Sequence, residues 1–169
     1  MIKFVKGDLL DATEDVIMHQ VNCQGVMNSG VAKQIREKWP EVFEQYQSFC
    51  CACGMQNCDP LGRVQIAEIN SPNIASKRQF VANIFAQRFY GYNGKRFTDD
   101  DAFRSAVRDL GLILRCAKET QAFMHSSPSV AAPYKIGCGL GGGDWDTILE
   151  IIEEELGDFN VVIYQREEK

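Results

Sequence analysis

The chain of 169 residues is long enough for one domain with a sizeable core, and its 45% hydrophobic and 24% charged residues are ordinary for a globular protein. No apolar run approaches the roughly 20 residues of a membrane span, and the first residues lack a secretory hydrophobic core, so we expect a cytoplasmic protein. The net charge of −5 argues against a protein that holds nucleic acid through its phosphate backbone, because such binding needs a basic surface.

Two predicted strands open the chain, and polar residues accompany each of them. Ile2 to Val5 alternates like a strand, and Asp8 comes just after it, at the edge where open α/β sheets bind their ligands. Val16 to Val21 is a second strand, apolar for the most part but containing His19. A histidine in such a strand is either buried against a neighbour or able to act as an acid or base near neutral pH.

A loop of amide and small residues, 22–30, connects the second strand to a predicted helix over 31–39. Apolar residues recur at helical spacing in that helix, and Asn28 or Ser29 is suited to cap its first turn. Pro40 ends or kinks the helix. The loop can therefore form one side of a ligand site.

The chain contains seven cysteines, four of them between residues 50 and 58. The odd number, without a secretory signal, favours free thiols over disulfides. The Cys-x-x-Cys spacing of Cys50 and Cys53 would suit zinc, but there is no second pair and no histidine nearby. After a short helix over 42–49 we expect a cysteine-rich surface loop without a metal.

The middle of the chain contains two further strands, a long loop and the clearest helix. Arg63 to Ile69 and Gln79 to Ala86 are the predicted strands. The segment 90–97 contains aromatic and basic residues, and it either reaches over a site or simply connects two elements. Thr98 is expected to cap the helix that follows, whose apolar residues recur at intervals of three and four.

The stretch 133–146 organises the rest of the chain. It follows a buried strand, Val130 to Ala132, precedes a helical pattern over Trp145 to Leu156, and has glycine at five of the seven positions 137–143. Glycines permit positive φ angles and bring backbone N–H groups close to an anion, and we expect the start of the following helix to add its dipole there. This pattern indicates a phosphate-binding loop, and a flexible turn is the alternative.

A last strand over Asn160 to Gln165 places Tyr164 near the end of the chain, and loops at 70–73 and around His125, which we expect to be exposed, complete the pattern. No repeat, linker or low-complexity segment divides these elements. The sequence therefore predicts one α/β domain over residues 1–169. Its expected architecture is a three-layer α/β/α sandwich with a mixed, mostly parallel sheet of about six strands.

Three motifs, each after a predicted strand, resemble those of macrodomains, the ADP-ribose-binding modules. They are Val5-Lys6-Gly7-Asp8-Leu9, then Asn28-Ser29-Gly30-Val31-Ala32 after Asn22, and Ile136-Gly137-Cys138-Gly139-Leu140 ahead of Trp145. Within the superfamily the chain is most similar to the branch that contains the ADP-ribose 1''-phosphate phosphatases and the terminal ADP-ribose protein glycohydrolase. The resemblance covers nearly the whole chain.

The resemblance implies a binding site for ADP-ribose or a derivative, with no cofactor and no metal. Asp8 would accept a hydrogen bond from the adenine amino group, and Tyr164 would flank the adenine ring. The loop after Asn22 would surround the distal ribose, and the glycine loop would wrap the pyrophosphate. The ligand-binding residues implied in this way are Asp8, Leu9, Asn22, Asn28, Ser29, Gly30, Val31, Gly137, Cys138, Gly139, Leu140, Gly141, Gly142 and Tyr164.

The catalytic residues implied by the resemblance are His19 and Asp144. The glycohydrolase branch uses a lysine and an aspartate, but Gln87 and Gly141 stand at those positions here. His19 matches a strand histidine of the phosphatase-like branch, and Asp144 lies just beyond the glycine loop. A histidine can act as acid or base, and a carboxylate can activate water. The alternatives are a buried histidine held by a neighbour and an aspartate that favours a helix start.

Two classes of function remain open on this basis. One is a hydrolase that removes a phosphate, an acyl group or a macromolecule from the distal ribose of ADP-ribose, the macromolecule being an ADP-ribosylated protein or nucleic-acid end. The other is a reader module that binds ADP-ribose without chemistry. An unrelated nucleotide-binding α/β protein is a third, remoter possibility, but the glycine loop lacks the Gly-Lys-Ser/Thr ending of a P-loop. The sequence predicts no membrane partner and no particular oligomeric state.

Overall fold

The computed structural model describes residues 1–69, 78–120 and 127–166. The predicted loops at 70–73 and around His125 lie outside these ranges. The strands are β1 (Ile2–Lys6), β2 (Val16–Asn22), β3 (Val64–Ile69), β4 (Gln79–Gln87), β5 (Ser129–Pro133) and β6 (Asn160–Gln165). The helices are α1 (Gly30–Lys38), α2 (Pro40–Met55), α3 (Asp100–Glu119) and α4 (Trp145–Leu156), with a short 3-10 turn at Leu9–Asp11.

The strands form one sheet in the order β1-β6-β5-β2-β4-β3. Every neighbouring pair is parallel except β3 and β4, which run antiparallel. The mixed, mostly parallel sheet predicted from the sequence is therefore confirmed. Because parallel strands end at the same edge, the loops that follow β2, β4 and β5 meet there.

Alternate residues of the central strands lie on opposite faces of the sheet, and the two faces pack against different helices. Ile17 and Val81 pack with residues of α1 and α2, whereas their neighbours Met18 and Ala82 pack with residues of α3 and α4. This period of two is what a strand covered on both sides requires, and it gives the predicted three layers. No helix within the described ranges is long and apolar enough to cross a membrane.

The second helix corrects one prediction. Helix α2 begins with Pro40, which suits a first helical position, and continues to Met55. Cys50, Cys51 and Cys53 therefore lie on a helix, so the predicted cysteine-rich loop is wrong. The reason is that Tyr46 and Cys53, two turns apart, continue one buried face.

The start of α3 is also one residue later than expected. Asp99, rather than Thr98, is the cap, and its carboxylate accepts a hydrogen bond from the backbone N–H of Ala102. The Thr98 hydroxyl instead donates to the carbonyl oxygen of Gly137, at 2.7 Å. This residue thus ties α3 to the glycine loop.

Candidate functional site

A cavity of about 240 Å³ lies at the sheet edge where β2, β4 and β5 end. Its lining combines the end of β2, the loop before α1 and the first turn of that helix, the end of β4, the loop after it, and the glycine loop. The lining positions are 19–22, 26–32, 87, 90–92, 133–137 and 139–141. The two loops that the sequence placed on either side of a ligand thus face one space.

The charge of this lining favours an anionic guest. Lys135 is the only Lys, Arg, Asp or Glu among the described lining residues, although the whole chain has a net charge of −5. The lysine forms no ion pair within the described ranges. Its Nζ lies 5.4 Å from the ring centroid of Tyr134. A cavity with one cation and no carboxylate is suited to a phosphate group.

The backbone at Lys135 is the second sign of an anion site. Lys135 has a φ of 56° and Gly137 a φ of 73°, on either side of Ile136. Positive φ is uncommon for a residue with a side chain, and alternation of this kind turns successive N–H groups towards a common point. Sequence reasoning missed Lys135 as a site residue, although its charge beside the glycines was a visible signal.

Replacing this lysine should weaken binding of a diphosphate ligand. We expect Lys135→Ala to lower the affinity for ADP-ribose by about tenfold, the value of one charge-assisted hydrogen bond, with a smaller loss at high salt. Calorimetry at two salt concentrations measures the effect. Lys118→Ala, at an exposed position near the end of α3, is the matched control. Equal effects of the two substitutions would contradict a phosphate contact at Lys135.

The glycine loop is held in shape by its carbonyl groups. The carbonyl oxygen of Gly137 accepts from the Thr98 hydroxyl and from the N–H of Gly143, and that of Gly141 accepts from the N–H groups of Phe97 and Thr98. A β-carbon at Gly141 would lie 2.4 Å from the Thr98 hydroxyl oxygen, whereas one at Gly139 would meet nothing within 4 Å. Some glycines therefore permit close packing, and Gly139 leaves open space beside the cavity.

Asn22 lines the cavity, but its side chain is hydrogen-bonded to other residues of the protein. Its Oδ1 accepts from the N–H of Gln24 and from the Tyr46 hydroxyl, and its Nδ2 donates to the carbonyl of Val26. Tyr46 is fully buried, and its hydroxyl oxygen also accepts a hydrogen bond from the N–H of Val26. Asn22 and Tyr46 together shape the loop before α1, and Tyr46 was missed because its helical position alone indicated only core packing.

The loop before α1 leaves several polar groups at the cavity. Ser29 occupies the N-cap position, but its hydroxyl makes no capping bond. Gly30 follows with a φ of 57°, and the half-buried Val31 packs against the core. The first turn of α1 therefore presents its N–H groups at the lining, while Asn28 accepts from Arg36 at 2.7 Å.

The helix start at the cavity is that of α1 and not that of α4, contrary to the sequence-based prediction. Asp144 caps α4, and its carboxylate accepts from both the N–H and the hydroxyl of Thr147. These hydrogen bonds lower the pKa of Asp144, so the carboxylate itself neutralises the positive end of α4. Asp144 does not line the cavity, and neither do Cys138 and Gly142.

His19 lines the cavity and is 1% exposed. Its Nε2 lies 2.6 Å from Oδ1 of Asn83, whose Nδ2 donates to Gln65. Because the amide orientation makes Oδ1 an acceptor, Nε2 carries the proton and Nδ1 has a lone pair. Within the described part of the chain Nδ1 has no partner. Burial lowers the pKa of His19 from 6.5 to about 4, so the ring is neutral at neutral pH.

This buried imidazole should make stability depend on pH. Between pH 6.5 and 4 the unfolded chain protonates His19 and the folded chain does not, so the free energy of unfolding falls as pH falls through that window. The expected loss from this group is on the order of 3 kcal/mol. Chemical denaturation at several pH values measures it. His19→Gln should flatten this part of the profile, and an unchanged profile would contradict a buried, neutral imidazole at His19.

The residues expected around adenine lie beyond the cavity lining, on the same sheet edge. Asp8 follows β1, and its Oδ1 accepts from the N–H of Leu10. Leu9 is buried in the core, so only its backbone can face a ligand. Tyr164 pairs in register with Pro133, which lines the cavity, and its hydroxyl donates to Glu14. The region expected to bind adenine is thus adjacent to the cavity.

The chain was compared with known proteins. No family model matches it. A DNA ADP-ribosyl glycohydrolase of Mycobacterium tuberculosis is 28% identical over 169 residues, which cover 97% of this chain and 42% of the relative. An ADP-ribose 1''-phosphate phosphatase of Debaryomyces hansenii is 27% identical over 175 residues, covering 95% of this chain and 94% of the relative. The chain thus spans about two fifths of the length of the glycohydrolase that it matches.

A solved structure has a similar fold. The macrodomain of Thermus aquaticus DarG matches with a TM-score of 0.72 and 22% identity, covering 97% of both chains. This likeness confirms the α/β fold predicted from the sequence. The two relatives agree with the resemblance inferred from the three sequence motifs.

Proposed function

We propose that this chain, which is a macrodomain by its fold, binds ADP-ribose derivatives and hydrolyses a bond at their distal ribose. The observation that carries the proposal is the cavity between the glycine loop and the start of α1, in whose described lining Lys135 is the one charged residue and His19 is a further lining residue. The names of the relatives support it, because both a phosphatase and a glycohydrolase acting on ADP-ribosyl groups match nearly the whole of this chain.

In the proposed pose the ligand runs along the sheet edge. Adenine lies between Asp8 and Tyr164, where Oδ1 of Asp8 caps the following turn and Oδ2, which lies 3.8 Å from Nη2 of Arg166, accepts from the adenine amino group. The pyrophosphate lies against the N–H groups of the glycine loop. The distal ribose then reaches the cavity proper, near Ser29 and His19. Each part of ADP-ribose thus meets groups of matching chemistry.

The proposed reaction is direct attack of water. His19 takes a proton from the water through Nδ1, because Nε2–H is directed to Asn83. Nδ1 is buried in the structure, so the proposal requires the attacking water to enter beside the ring. A lysine-linked intermediate is not part of the proposal, since Gln87 stands at the position where the glycohydrolase branch has its lysine and its amide donates to the carbonyl of Phe89. Water attacks the distal ribose carbon that bears the attached group, and the bond from that carbon to the group breaks. The leaving group, which is phosphate in one candidate substrate and a macromolecule in the other, takes up the proton held by His19.

Binding and turnover test the proposal separately. Calorimetry should show tighter binding of ADP-ribose than of AMP, because the cavity lies beyond the first phosphate and contacts the second phosphate and distal ribose. Phosphate release from ADP-ribose 1''-phosphate should be measured on the same preparation. Equal affinities for ADP-ribose and AMP would overturn the binding mode. Selective binding without turnover of either substrate class would instead make the chain a reader module.

A further inference from the structure

Three polar side chains form a row across the interior of the sheet. His19 on β2 and Gln65 on β3 are both register partners of Asn83 on β4, so the three side chains lie on one face of the sheet. His19 and Asn83 are 1% and 0% exposed, and Gln65 is half-buried. We call these three residues the polar row.

Core packing alone does not explain the polar row. The preceding row on the same face consists of Ile17, Val81 and Ala67, which are in register in the same way and fully buried. A second apolar row would fill the interior without any hydrogen bond to satisfy, and replacing a hydrogen-bonded pair by apolar groups of the same shape is often neutral or stabilising. The polar row therefore indicates a requirement other than stability.

The hydrogen bonds of the polar row run in one direction, which a backbone carbonyl sets. Nε2 of Gln65 donates to the carbonyl oxygen of Ile66, at 3.0 Å, so Oε1 of Gln65 is left for Asn83. Nδ2 of Asn83 donates to that Oε1, at 2.6 Å, and Oδ1 of Asn83 lies 2.6 Å from Nε2 of His19. Because a backbone carbonyl oxygen can only accept, it fixes the orientation of each side-chain amide in turn.

The reversed arrangement would leave acceptors facing each other. If Asn83 turned its amide over, its Oδ1 would face Oε1 of Gln65 with no proton between the two oxygens. If Gln65 turned over as well, its Oε1 would face the carbonyl oxygen of Ile66. An unsatisfied buried polar group costs about 1–3 kcal/mol, so the observed direction is favoured and His19 carries its proton on Nε2.

We propose that Asn83 and Gln65 are positioning residues for the hydrolysis, which select the imidazole tautomer of His19 and keep its Nδ1 unprotonated. The inference rests on the proposed function, in which His19 is the base. Neither Asn83 nor Gln65 lines the cavity. The effect of Gln65 on turnover therefore passes through Asn83 to His19, and a side chain two strands away from the base takes part in the reaction.

The tautomer of His19 can be measured by ¹⁵N NMR of the imidazole rings, because the chain has only two histidines. The signals of His19 are those that disappear in His19→Gln. At neutral pH the unmutated chain should show one tautomer, protonated on Nε2. Gln65→Leu should produce a mixture, because Asn83 is then free to turn its amide over. Gln65→Glu should retain the single tautomer, since a carboxylate still accepts from Nδ2 of Asn83.

Turnover should rank the two variants in the order opposite to that expected from packing. Gln65→Leu should lower kcat for phosphate release by roughly 10–10²-fold, the scale of a misplaced catalytic group, with the affinity for ADP-ribose unchanged. Gln65→Glu should retain kcat. A residue that only packs would give the reverse, because leucine is tolerated at a half-buried position and a charge is not. Gln56→Leu, at an exposed position where α2 ends, is the matched control.

Two results would overturn the inference. One is a single tautomer, protonated on Nε2, in folded Gln65→Leu. The other is a kcat that stays unchanged although the tautomer of His19 has become mixed. If Gln65→Leu does not fold, Gln65→Met, a second apolar variant of similar length, is measured in its place. Absence of turnover in the unmutated chain, with the tautomers as expected, would refute the proposed function and leave tautomer selection by the polar row established.

Discussion

His19→Ala should lower kcat for the hydrolysis of ADP-ribose 1''-phosphate by about 10²–10⁴-fold and leave the affinity for ADP-ribose nearly unchanged. The imidazole lines the cavity with Nε2 held by Asn83, and Nδ1 has no partner within the described ranges. The described lining contains no carboxylate that could replace it as a base. Its removal should therefore affect the chemical step more than binding.

Steady-state phosphate release and an ADP-ribose binding isotherm, measured on the same variant, separate the two effects. With a pKa of about 4, the ring is neutral above that pH, so kcat of the unmutated chain should show no inflection from His19 between pH 6 and 8. Asp144→Ser, which retains a residue suited to cap α4, tests the second catalytic residue implied by the resemblance. An undiminished kcat in His19→Ala would leave His19 a structural residue.

Gly139→Val should reduce the affinity for ADP-ribose by roughly 100-fold, the effect of a clash worth about 3 kcal/mol, without unfolding the protein. A β-carbon at Gly139 meets no atom within 4 Å, and Gly139 has no positive φ, so the backbone tolerates a side chain. The branched side chain would instead occupy space at the cavity lining, where the diphosphate is proposed to lie.

Gly54→Val is the matched control for this substitution. Gly54 lies on α2, is exposed, and also has open space around the position of a β-carbon. Thermal unfolding of both variants should show that each is folded, and calorimetry should show a loss of binding for Gly139→Val alone. If the Gly139 variant is folded and binds ADP-ribose normally, the phosphate does not lie against the glycine loop.

Much of the fold could be predicted from local patterns. The alternation in Ile2–Val5, the apolar run in Val16–Val21 and the helical spacing after Trp145 each appear in the structure within a few residues of the predicted bounds. The cysteine segment could not be predicted in this way. Its residues include exposed and buried thiols, and only the packing of Tyr46 and Cys53 on one face shows that α2 continues through it.

By itself the sequence determined the order of strands and helices, the two loops at one sheet edge and the glycine loop, because hydrophobic period and glycine content act over neighbouring residues. Only the tertiary structure decided which groups face the cavity. Lys135 lines it, Asp144 turns its carboxylate to Thr147, and α1 rather than α4 presents its first turn. The contact between Asp144 and Thr147 is local, but the cavity as a whole depends on hydrogen bonds between residues far apart in the chain, such as His19 with Asn83 and Thr98 with Gly137. No local pattern encodes these distant partners.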